Sequence, residues 1–445
     1  MRYSWVLLLS LFLASSGIAA GQQQKPARLV LSLKEAVELA ISPEGNTQLQ
    51  LSEEALRQAK ARSGQARAAL LPDVSSSLIY RNQTVNLRAF GIGFFFPFPV
   101  PSLVGPFNVM DARISGSQSI FDFSSIRRFQ ASRSGVSAAE AEVVNMEEQV
   151  AARVARAYLL GIRADADVES VQANVTLSQA VLEQAEGLKK AGTGTGIEMT
   201  RAKVQLANDR QRLLVAENAR RSAHLQLLRA MDLALDIELE LTDKLGYLPV
   251  DNITLEEART LALAARPDLK AQQQREASAR LSTNAIKMER LPSFGFFGDY
   301  GSIGSDINET LVPTRTYGVT LRLPIFDGGR RESRIAEAAS QYRAEIVRTH
   351  DLKEQIELEI RLALDALRSA DEQVDTAREG LELSENELAQ AQRRFGAGVA
   401  IGLEVTDAQT RLERARDNQV QALYNYNLAH IDLEQALGRV RSSIR

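Results

Sequence analysis

Apolar and small residues recur at steps of three and four along two long stretches of the chain, at about 124–189 and 328–394. In the second stretch the spaced positions are Leu352, Ile356, Ile360, Ala363, Leu367, Ala370, Val374, Ala377, Leu381, Ser384, Leu388, Ala391 and Phe395. This spacing predicts coiled-coil helices. At 1.5 Å per residue each would be about 100 Å long, so we expect the helices to lie side by side in a bundle or tube.

Shorter helical patterns accompany the two long ones. A Gly-rich turn follows each long stretch, and a returning helix is expected after it, at about 199–231 and 404–437. A further helix is expected at the start of each half of the chain. Each half of the chain therefore reads as a helix, a pair of strands, a very long helix, a tight turn and a returning helix.

The strand pairs show the alternation of apolar and polar positions that is typical of β-strands. They lie at about 73–88, 109–122, 292–304 and 314–326. In the last strand one face carries Tyr317, Val319, Leu321, Leu323 and Ile325. Runs of about 10–14 residues are long enough to cross a bilayer at a tilt as strands of a membrane β-barrel. A soluble hairpin with one buried face would show the same alternation, so the strands alone leave both interpretations open.

The number of strands bears on the assembly. Four strands in lipid would leave open edges with unpaired N–H and C=O groups, so a barrel would have to close between chains. Closure would give eight, twelve or sixteen strands, and eight would leave an interior filled by side chains. Twelve, from a trimer, is the smallest number that leaves a water-filled lumen. This argument favours a trimer or a larger ring.

The two halves of the chain are a tandem duplication. Leu71-Pro72 returns as Leu291-Pro292, 220 positions later, and Ile120-Phe121-Asp122 returns as Ile325-Phe326-Asp327, 205 positions later. The segment 196–200 returns as 402–406. After a signal peptide at 1–20, we expect a first repeat over 21–250 and a second over 251–445. The first repeat has extra residues at Ala89–Pro106.

The first residues predict export. Arg2 precedes an apolar run from Trp5 to Ala14 and small residues up to Ala20, which is the pattern of a signal peptide with cleavage near Ala19 or Ala20. A disordered apolar N-terminus is the alternative. The sequence has no cysteine, so we expect no lipid attached through an N-terminal cysteine. No later segment is apolar enough for a spanning helix.

Composition and side-chain chemistry argue against several functions. A formal net charge of −3 provides no basic footprint for nucleic acid. Zero cysteines exclude a thiolate metal site and a cysteine nucleophile. The three histidines, His224, His350 and His430, lie singly in predicted helices, where we interpret them as tunnel or packing residues. With no nucleophile–base pair or metal constellation, we expect neither an enzyme nor a cofactor.

Several motifs together resemble those of the TolC family of outer-membrane efflux proteins. The matching segments are 291–292, 323–329, 394–398 and 404–409, and the resemblance covers about residues 28 to 440. It implies an α+β membrane protein, a homotrimer with a twelve-strand β-barrel in the outer membrane and a twelve-helix coiled-coil α-barrel through the periplasm. The shorter helices of each repeat would stack end to end in pairs, about 47–70 with 199–231 in the first repeat and about 256–290 with 404–437 in the second. Residues around 232–255 and both termini would form a belt at mid-tunnel.

The resemblance also implies a function. Such proteins are passive ducts of tripartite efflux or type I secretion systems. They receive substrate from an inner-membrane pump, of RND or ABC type, through a periplasmic adaptor. The alternative from the residues alone is a periplasmic coiled-coil scaffold or adaptor without a pore, which would explain the heptads but not four alternating strands at the repeat marks.

Two acidic residues are the candidate gate and selectivity ring. Glu404 and Asp407 are three apart near the start of a helix, so their carboxylates lie on one face. The helix dipole alone favours acids at that position. In the resembled family, acids at the matching positions line the periplasmic mouth. In the first repeat Glu198 is retained, and Arg201 replaces the second acid.

The family's tyrosine–arginine latch is not retained. Phe395 and Ala400 occupy the matching positions, and neither side chain can donate a hydrogen bond or form an ion pair. Closure of the tip is therefore expected to rest on other contacts or to be weaker.

The two Gly-rich turns are the expected tip. Neither has the strand before it or the Gly-Lys-Ser/Thr sequence of a phosphate loop. Glycine at a helix end instead supplies the reversal of the chain. By resemblance, the adaptor would dock at these turns, which contain Gly192, Gly194, Gly196, Gly396 and Gly398.

The extra loop of the first repeat is rich in phenylalanine and proline. One interpretation is an apolar lid over the extracellular mouth, and the other is the aromatic girdle that membrane barrels usually carry. The candidate lid residues are Phe94, Phe95, Phe96 and Phe98.

Overall fold

The computed structural model describes residues 28–42, 45–91, 101–247, 249, 253–306, 310–397 and 399–444. The helices are α1 Leu33–Ala40, α2 Thr47–Ala68, α3 Phe123–Lys190, α4 Gly196–Ala230, α5 Leu255–Ala265, α6 Pro267–Met288, α7 Arg330–Gly396, α8 Gly402–Leu437 and α9 Val440–Ser443. The strands are β1 Arg28–Leu31, β2 Asp73–Asn86, β3 Leu103–Phe121, β4 Glu238–Leu241, β5 Ser293–Gly304 and β6 Val312–Arg322. The expected signal peptide at 1–20 lies outside the described residues. None of the described helices meets the length and hydropathy of a membrane-spanning helix.

Four strands form one antiparallel sheet in the order β2-β3-β5-β6. The register places Tyr80 opposite Met110, Ile114 opposite Tyr300 and Phe296 opposite Val319. Because facing partners project to the same side of a sheet, one face is apolar and exposed in the chain. Its large exposed side chains are Val74, Leu78, Tyr80, Ile114, Phe296, Tyr300, Tyr317, Val319 and Leu321. The other face carries Asp111, Arg113, Asp299 and small polar residues, together with the apolar Ile79, Val109, Phe297 and Ile303.

The four tunnel helices pack in the order α7–α8–α3–α4. Small and branched residues, spaced by three and four positions, are buried between these helices. In one such cluster Leu388 and Ala391 of α7 contact Val405, Ala408 and Leu412 of α8. The long helices α3 and α7 have 68 and 67 residues, or about 100 Å at the rise of an α-helix. They extend from the sheet to the two turns at the opposite end.

Shorter helices continue the returning helices end to end. The Asn46 amide ahead of α2 donates to the Ala230 carbonyl at the end of α4 (3.1 Å), and the Thr47 N–H donates to Asp232 (3.1 Å). In the second repeat Arg266, ahead of α6, donates to the Ala436 carbonyl in α8 (3.3 Å). The Ala230 and Ala436 carbonyls, which lack intrahelical partners at the ends of α4 and α8, thereby accept hydrogen bonds.

A mixed belt surrounds the middle of the helices. Strand β1 pairs in parallel with β4, and α1 and α9 pack on α3. The buried Tyr158 of α3 donates to the Leu31 carbonyl (3.0 Å) and contacts Asp243 (2.8 Å). The largest apolar cluster lies here, so the belt ties both termini to the wall of helices.

Several element bounds differ from the expectations. The helix expected over 256–290 is broken into α5 and α6, because Pro267 has no N–H and leaves Arg266 in an extended conformation, with ψ 121°. The strand expected over 314–326 ends at Arg322. The strand expected from 109 begins at Leu103, so Phe107 lies in β3 and not in the loop.

Candidate functional site

The two turns at the far end of the helices depend on glycine. Gly192 has φ 78°, a left-handed conformation that glycine adopts readily. At Gly194 a Cβ would lie 2.8 Å from the Lys189 amide nitrogen, so no larger residue fits without movement. Gly196 begins α4 and Gly396 ends α7, whereas Gly398 lies outside the described residues. The expected tip turns are thus built as reversals between long helices.

Glu198 connects the two turns. Thr195 caps α4, and Glu198 accepts hydrogen bonds from the Thr195 N–H (3.1 Å) and hydroxyl (3.0 Å). Helix α8 begins without a side-chain cap at Ile401, and the Glu198 carboxylate lies beside the backbone of Gly402, 3.6 Å from the position that a Cβ would take there. The hydrogen bonds from the Thr195 backbone and hydroxyl, and to a smaller extent the nearby Gly402 backbone, lower the pKa of the Glu198 carboxyl.

Glu404 and Asp407, the candidate ring residues, differ in their surroundings. The Glu404 carboxylate lies 3.0 Å from Nε of Arg394, across the turn between α7 and α8. Asp407 is exposed, and within the described residues it has no recorded ion pair. Both project away from the face of α8 that Val405, Ala408 and Leu412 bury. The charge of one candidate is therefore partly neutralised within the chain, and that of the other is not.

Farther from the tip, buried carboxylates lie between the two helical hairpins. Asp209 of α4 and Glu413 of α8 are 1% and 4% exposed. The Gln205 amide donates to both carboxylates (3.1 Å each), and Arg212 donates to Glu413 (2.5 Å). Burial raises the pKa of Glu413, and the negative charge of Asp209 raises it further. This cluster joins α4 to α8 through buried polar contacts.

The polar face of the sheet carries an ion-paired triad. Arg113 on β3 donates to Asp111 (2.9 Å) and to Asp299 on β5 (2.7 Å). The arginine side chain crosses Gly301, where a Cβ would lie 2.3 Å from that of Arg113. Glycine at this position allows the triad to lie flat against the sheet.

Sequence reasoning missed the partners of several site residues. Asp209 follows Ala202 and Leu206 at the spacing of buried positions, and an acid at such a position is a signal of a buried polar cluster. The ion pair of Arg394 with Glu404 has no local signal, because the shape of the turn creates it. The candidate lid residues Phe94, Phe95, Phe96 and Phe98 lie outside the described residues.

The histidines and acids of the described residues form no metal-binding group. His224 lies 3.3 Å from Asp165, and His350 is exposed. Burial lowers the pKa of His430, which contacts Glu434 (3.9 Å). The three histidines lie on three different helices, α4, α7 and α8, so no two of them share a helix.

Comparison with known proteins decides the family. A family model described as "Outer membrane efflux protein" matches residues 42–232 and 258–439, which is most of the chain. The chain belongs to this outer membrane efflux protein family. It is 27% identical over 388 residues to the pyoverdine export outer membrane protein OpmQ of Pseudomonas putida, covering 86% of this chain and 81% of the relative. It is 24% identical to outer membrane protein TolC of Vibrio cholerae, covering 74% and 77%.

A solved structure of the same fold has low sequence identity. The outer membrane protein VceC from Vibrio cholerae superimposes with a TM-score of 0.78 at 20% identity, covering 92% of this chain and 96% of the other. The predicted fold class, four barrel strands per chain continued by long coiled-coil helices, is confirmed. The efflux protein is thus an outer-membrane channel of the efflux and secretion class, and its family is one of channels and not of enzymes.

Proposed function

We propose that this efflux protein works as a homotrimeric passive duct that crosses the outer membrane and extends through the periplasm. The observation that carries this proposal is the sheet. Its exposed apolar face is suited to lipid, whereas its opposite face holds the Asp111–Arg113–Asp299 triad and is suited to water. Three four-stranded sheets would close a barrel without edges and leave a wet lumen. The sequence has no cysteine for a lipid tether.

The partners we propose are a periplasmic adaptor and an inner-membrane pump of RND or ABC type. The chain offers no catalytic constellation among its described residues that could supply energy, so transport would be driven by the pump. The adaptor would dock at the two tip turns, where Gly192, Gly194 and Gly196 shape one turn and Gly396 begins the other. We propose that Gly398 also belongs to this docking surface. We also propose that Phe94, Phe95, Phe96 and Phe98 form an extracellular lid.

The gate we propose is a ring of Glu404 and Asp407 from three chains. Six carboxylates around one aperture would attract cations and resist closer approach. Because Arg394 pairs with Glu404, Asp407 would carry the larger share of the effective charge. Glu198, which lies beside Gly402, would hold the two turns of each chain together at this aperture.

Purification and electrical recording test the proposal together. The full chain, extracted from outer membranes in mild detergent, should run as a heat-resistant trimer and should give cation-selective single channels in planar bilayers. A periplasmic scaffold without a pore would instead appear in the soluble periplasmic fraction and would leave the bilayer silent. Either of those two results would refute the duct.

A further inference from the structure

The helices carry unpaired cations close to the point where they meet the four-stranded sheet. Arg67 is one residue from the end of α2, and Lys287 is one residue from the end of α6. Arg280 lies about 12 Å from the end of α6, and Arg133 lies about 15 Å from the start of α3, at 1.5 Å per residue. All four side chains are exposed, and within the described residues none has an ion pair or a side-chain hydrogen bond. We call these four residues the basic collar.

A cavity identifies the luminal side of the helices. Next to the sheet the helices pack in the order α2–α3–α6–α7, and one cavity of about 490 Å³ is lined by residues of all four. A cavity that contacts every helix of a row lies on its concave side, which faces the lumen when copies close into a tube. The belt lies on the other side. On α3 the lining residue Glu142 is five residues, about 140° around the helix, from Glu147, which contacts Arg441 of α9 in the belt.

The basic collar lies on the outer side, away from this cavity. Arg133 is nine residues from Glu142, a lining residue of α3. Lys287 is nine residues from Ser278, a lining residue of α6. Nine residues are two and a half turns, so the two members of each pair project to opposite sides of their helix. The other two collar residues lie about 140° around the helix from lining residues, Arg67 from Arg62 and Arg280 from Arg275.

The charge of the collar is not compensated within the chain. Two exposed acids of this region, Glu140 and Glu332, already contact other cations, Lys60 (3.9 Å) and Arg290 (2.5 Å). On the luminal side, by contrast, the lining residue Arg275 is neutralised by Glu142 (2.8 Å). The outer surface below the sheet therefore presents a positive charge that the described chain leaves without a counter-charge.

Exposed apolar side chains connect the sheet to the collar. Phe121 ends β3, and Phe123 and Ile126 lie in the first turn of α3; their exposed fractions are 58%, 48% and 38%. Ile126 and Arg133 are seven residues apart, so they lie on the same side of α3. The outer surface thus changes from apolar to basic over about 10 Å along this helix. The same order, apolar and then charged, runs from the tails to the headgroups of a lipid leaflet.

We infer that the basic collar binds the phosphate groups of anionic phospholipids in the periplasmic leaflet of the outer membrane. This inference rests on the proposed trimer, whose barrel places the apolar face of the sheet in lipid, and it adds a lipid partner to the duct. Lysine and arginine at the edge of an apolar surface extend their charged ends to the headgroups. Clusters of basic residues beside a membrane-spanning segment are typical of sites for acidic lipids.

Lipid retention by the purified trimer tests the collar. The full chain is exchanged into mixed micelles that contain phosphatidylglycerol and phosphatidylcholine in equal amounts, and the lipid that co-elutes with the trimer is quantified. Phosphatidylglycerol should be enriched at low salt, and the enrichment should disappear at about 1 M salt, where the screening length is about 3 Å. Equal retention of the two lipids at low salt would overturn the inference.

Two double variants with the same change of charge locate the site. Arg67→Gln with Lys287→Gln removes two of the four collar cations and should lower the enrichment by about half. The matched control is Arg62→Gln with Arg343→Gln, because Arg62 lines the luminal cavity and Arg343 lies about 20 Å from the start of α7. The control should keep the wild-type enrichment. Equal losses in the two double variants would show a general effect of charge and would overturn the collar.

Further outcomes separate the collar from the duct and the lipid from free phosphate. Trimers that conduct but show no enrichment of phosphatidylglycerol would overturn the collar and leave the duct standing. Absence of trimers and of conductance would instead refute the proposed function. Displacement of the bound phosphatidylglycerol by inorganic phosphate, but not by chloride at the same ionic strength, would make the collar a site for free phosphate and overturn the lipid as its occupant.

Discussion

At the scale of single residues, the acidic pair at the tip carries unequal charge. Arg394 lies against Glu404, while Asp407 is exposed. Unit charges 4 Å apart interact by about 1 kcal/mol even in water, enough to change local cation concentration several-fold. We therefore predict that Asp407→Asn lowers the cation preference more than Glu404→Gln does. Reversal potentials in a KCl gradient measure the difference.

Arg394→Gln is the matched control for this comparison. Removing the arginine frees the Glu404 carboxylate, so the cation preference should rise above that of the wild type. If all three variants keep the wild-type reversal potential, the ring does not select ions.

The buried Glu413 should make stability depend on pH. Burial and the charge of Asp209 raise the pKa of Glu413 in the folded chain above its ordinary 4.5. The folded chain therefore binds the Glu413 proton more tightly than the unfolded chain does. The free energy of unfolding increases as the pH falls from the raised pKa towards 4.5, and the destabilisation by the buried, charged carboxylate is complete above the raised pKa. Glu413→Gln should raise the melting temperature at pH 7 and flatten its pH dependence, measured by circular dichroism in detergent.

Asp417→Asn is the comparison for Glu413. Burial also raises the pKa of Asp417, and the charge of Asp209 does not contribute to that shift. Asp417→Asn should flatten the pH dependence of the melting temperature less than Glu413→Gln does. A Glu413→Gln profile as steep as that of the wild type would show that Glu413 is not the titrating group.

At the scale of elements, β6 separates a lipid face from a water face residue by residue. Val319 lies on the exposed apolar face and Thr320 on the opposite one. An arginine facing lipid at the bilayer midplane costs about 2–4 kcal/mol, whereas one facing a wet lumen costs little. Val319→Arg should therefore reduce the heat-resistant trimer recovered from outer membranes, and Thr320→Arg should not. Equal losses would argue against the assignment of the faces.

The elements also show what sequence reasoning can reach. The heptads of α3 and α7 and the alternation of the four strands are local periodicities, and they predicted the elements closely except at the start of β3, which begins at Leu103 and not at 109. The break at Pro267 had a local signal in the proline itself. The contacts of Glu198 with Gly402 and of Arg394 with Glu404 had no local signal in the sequence. They join residues across turns, and residue spacing does not predict the shape of a turn.

At the scale of the whole molecule, conductance should depend on how firmly the two turns of each chain are joined. Phe395 and Ala400 provide no polar latch, and in the described tip the Glu198 carboxylate instead lies beside the backbone of Gly402. Glu198→Ala removes this contact and the carboxylate that accepts from Thr195, but it leaves the Thr195 hydroxyl capping the N–H of residue 198, whereas Thr195→Ala removes that capping hydroxyl. The first variant should raise the mean single-channel conductance, because the α7–α8 turn is then free to move outward. The second should conduct like the wild type, and sensitivity of cells to a large antibiotic should follow the same order. An equal increase in both variants would assign the effect to the helix cap, and no increase in either would show that Glu198 does not restrain the aperture.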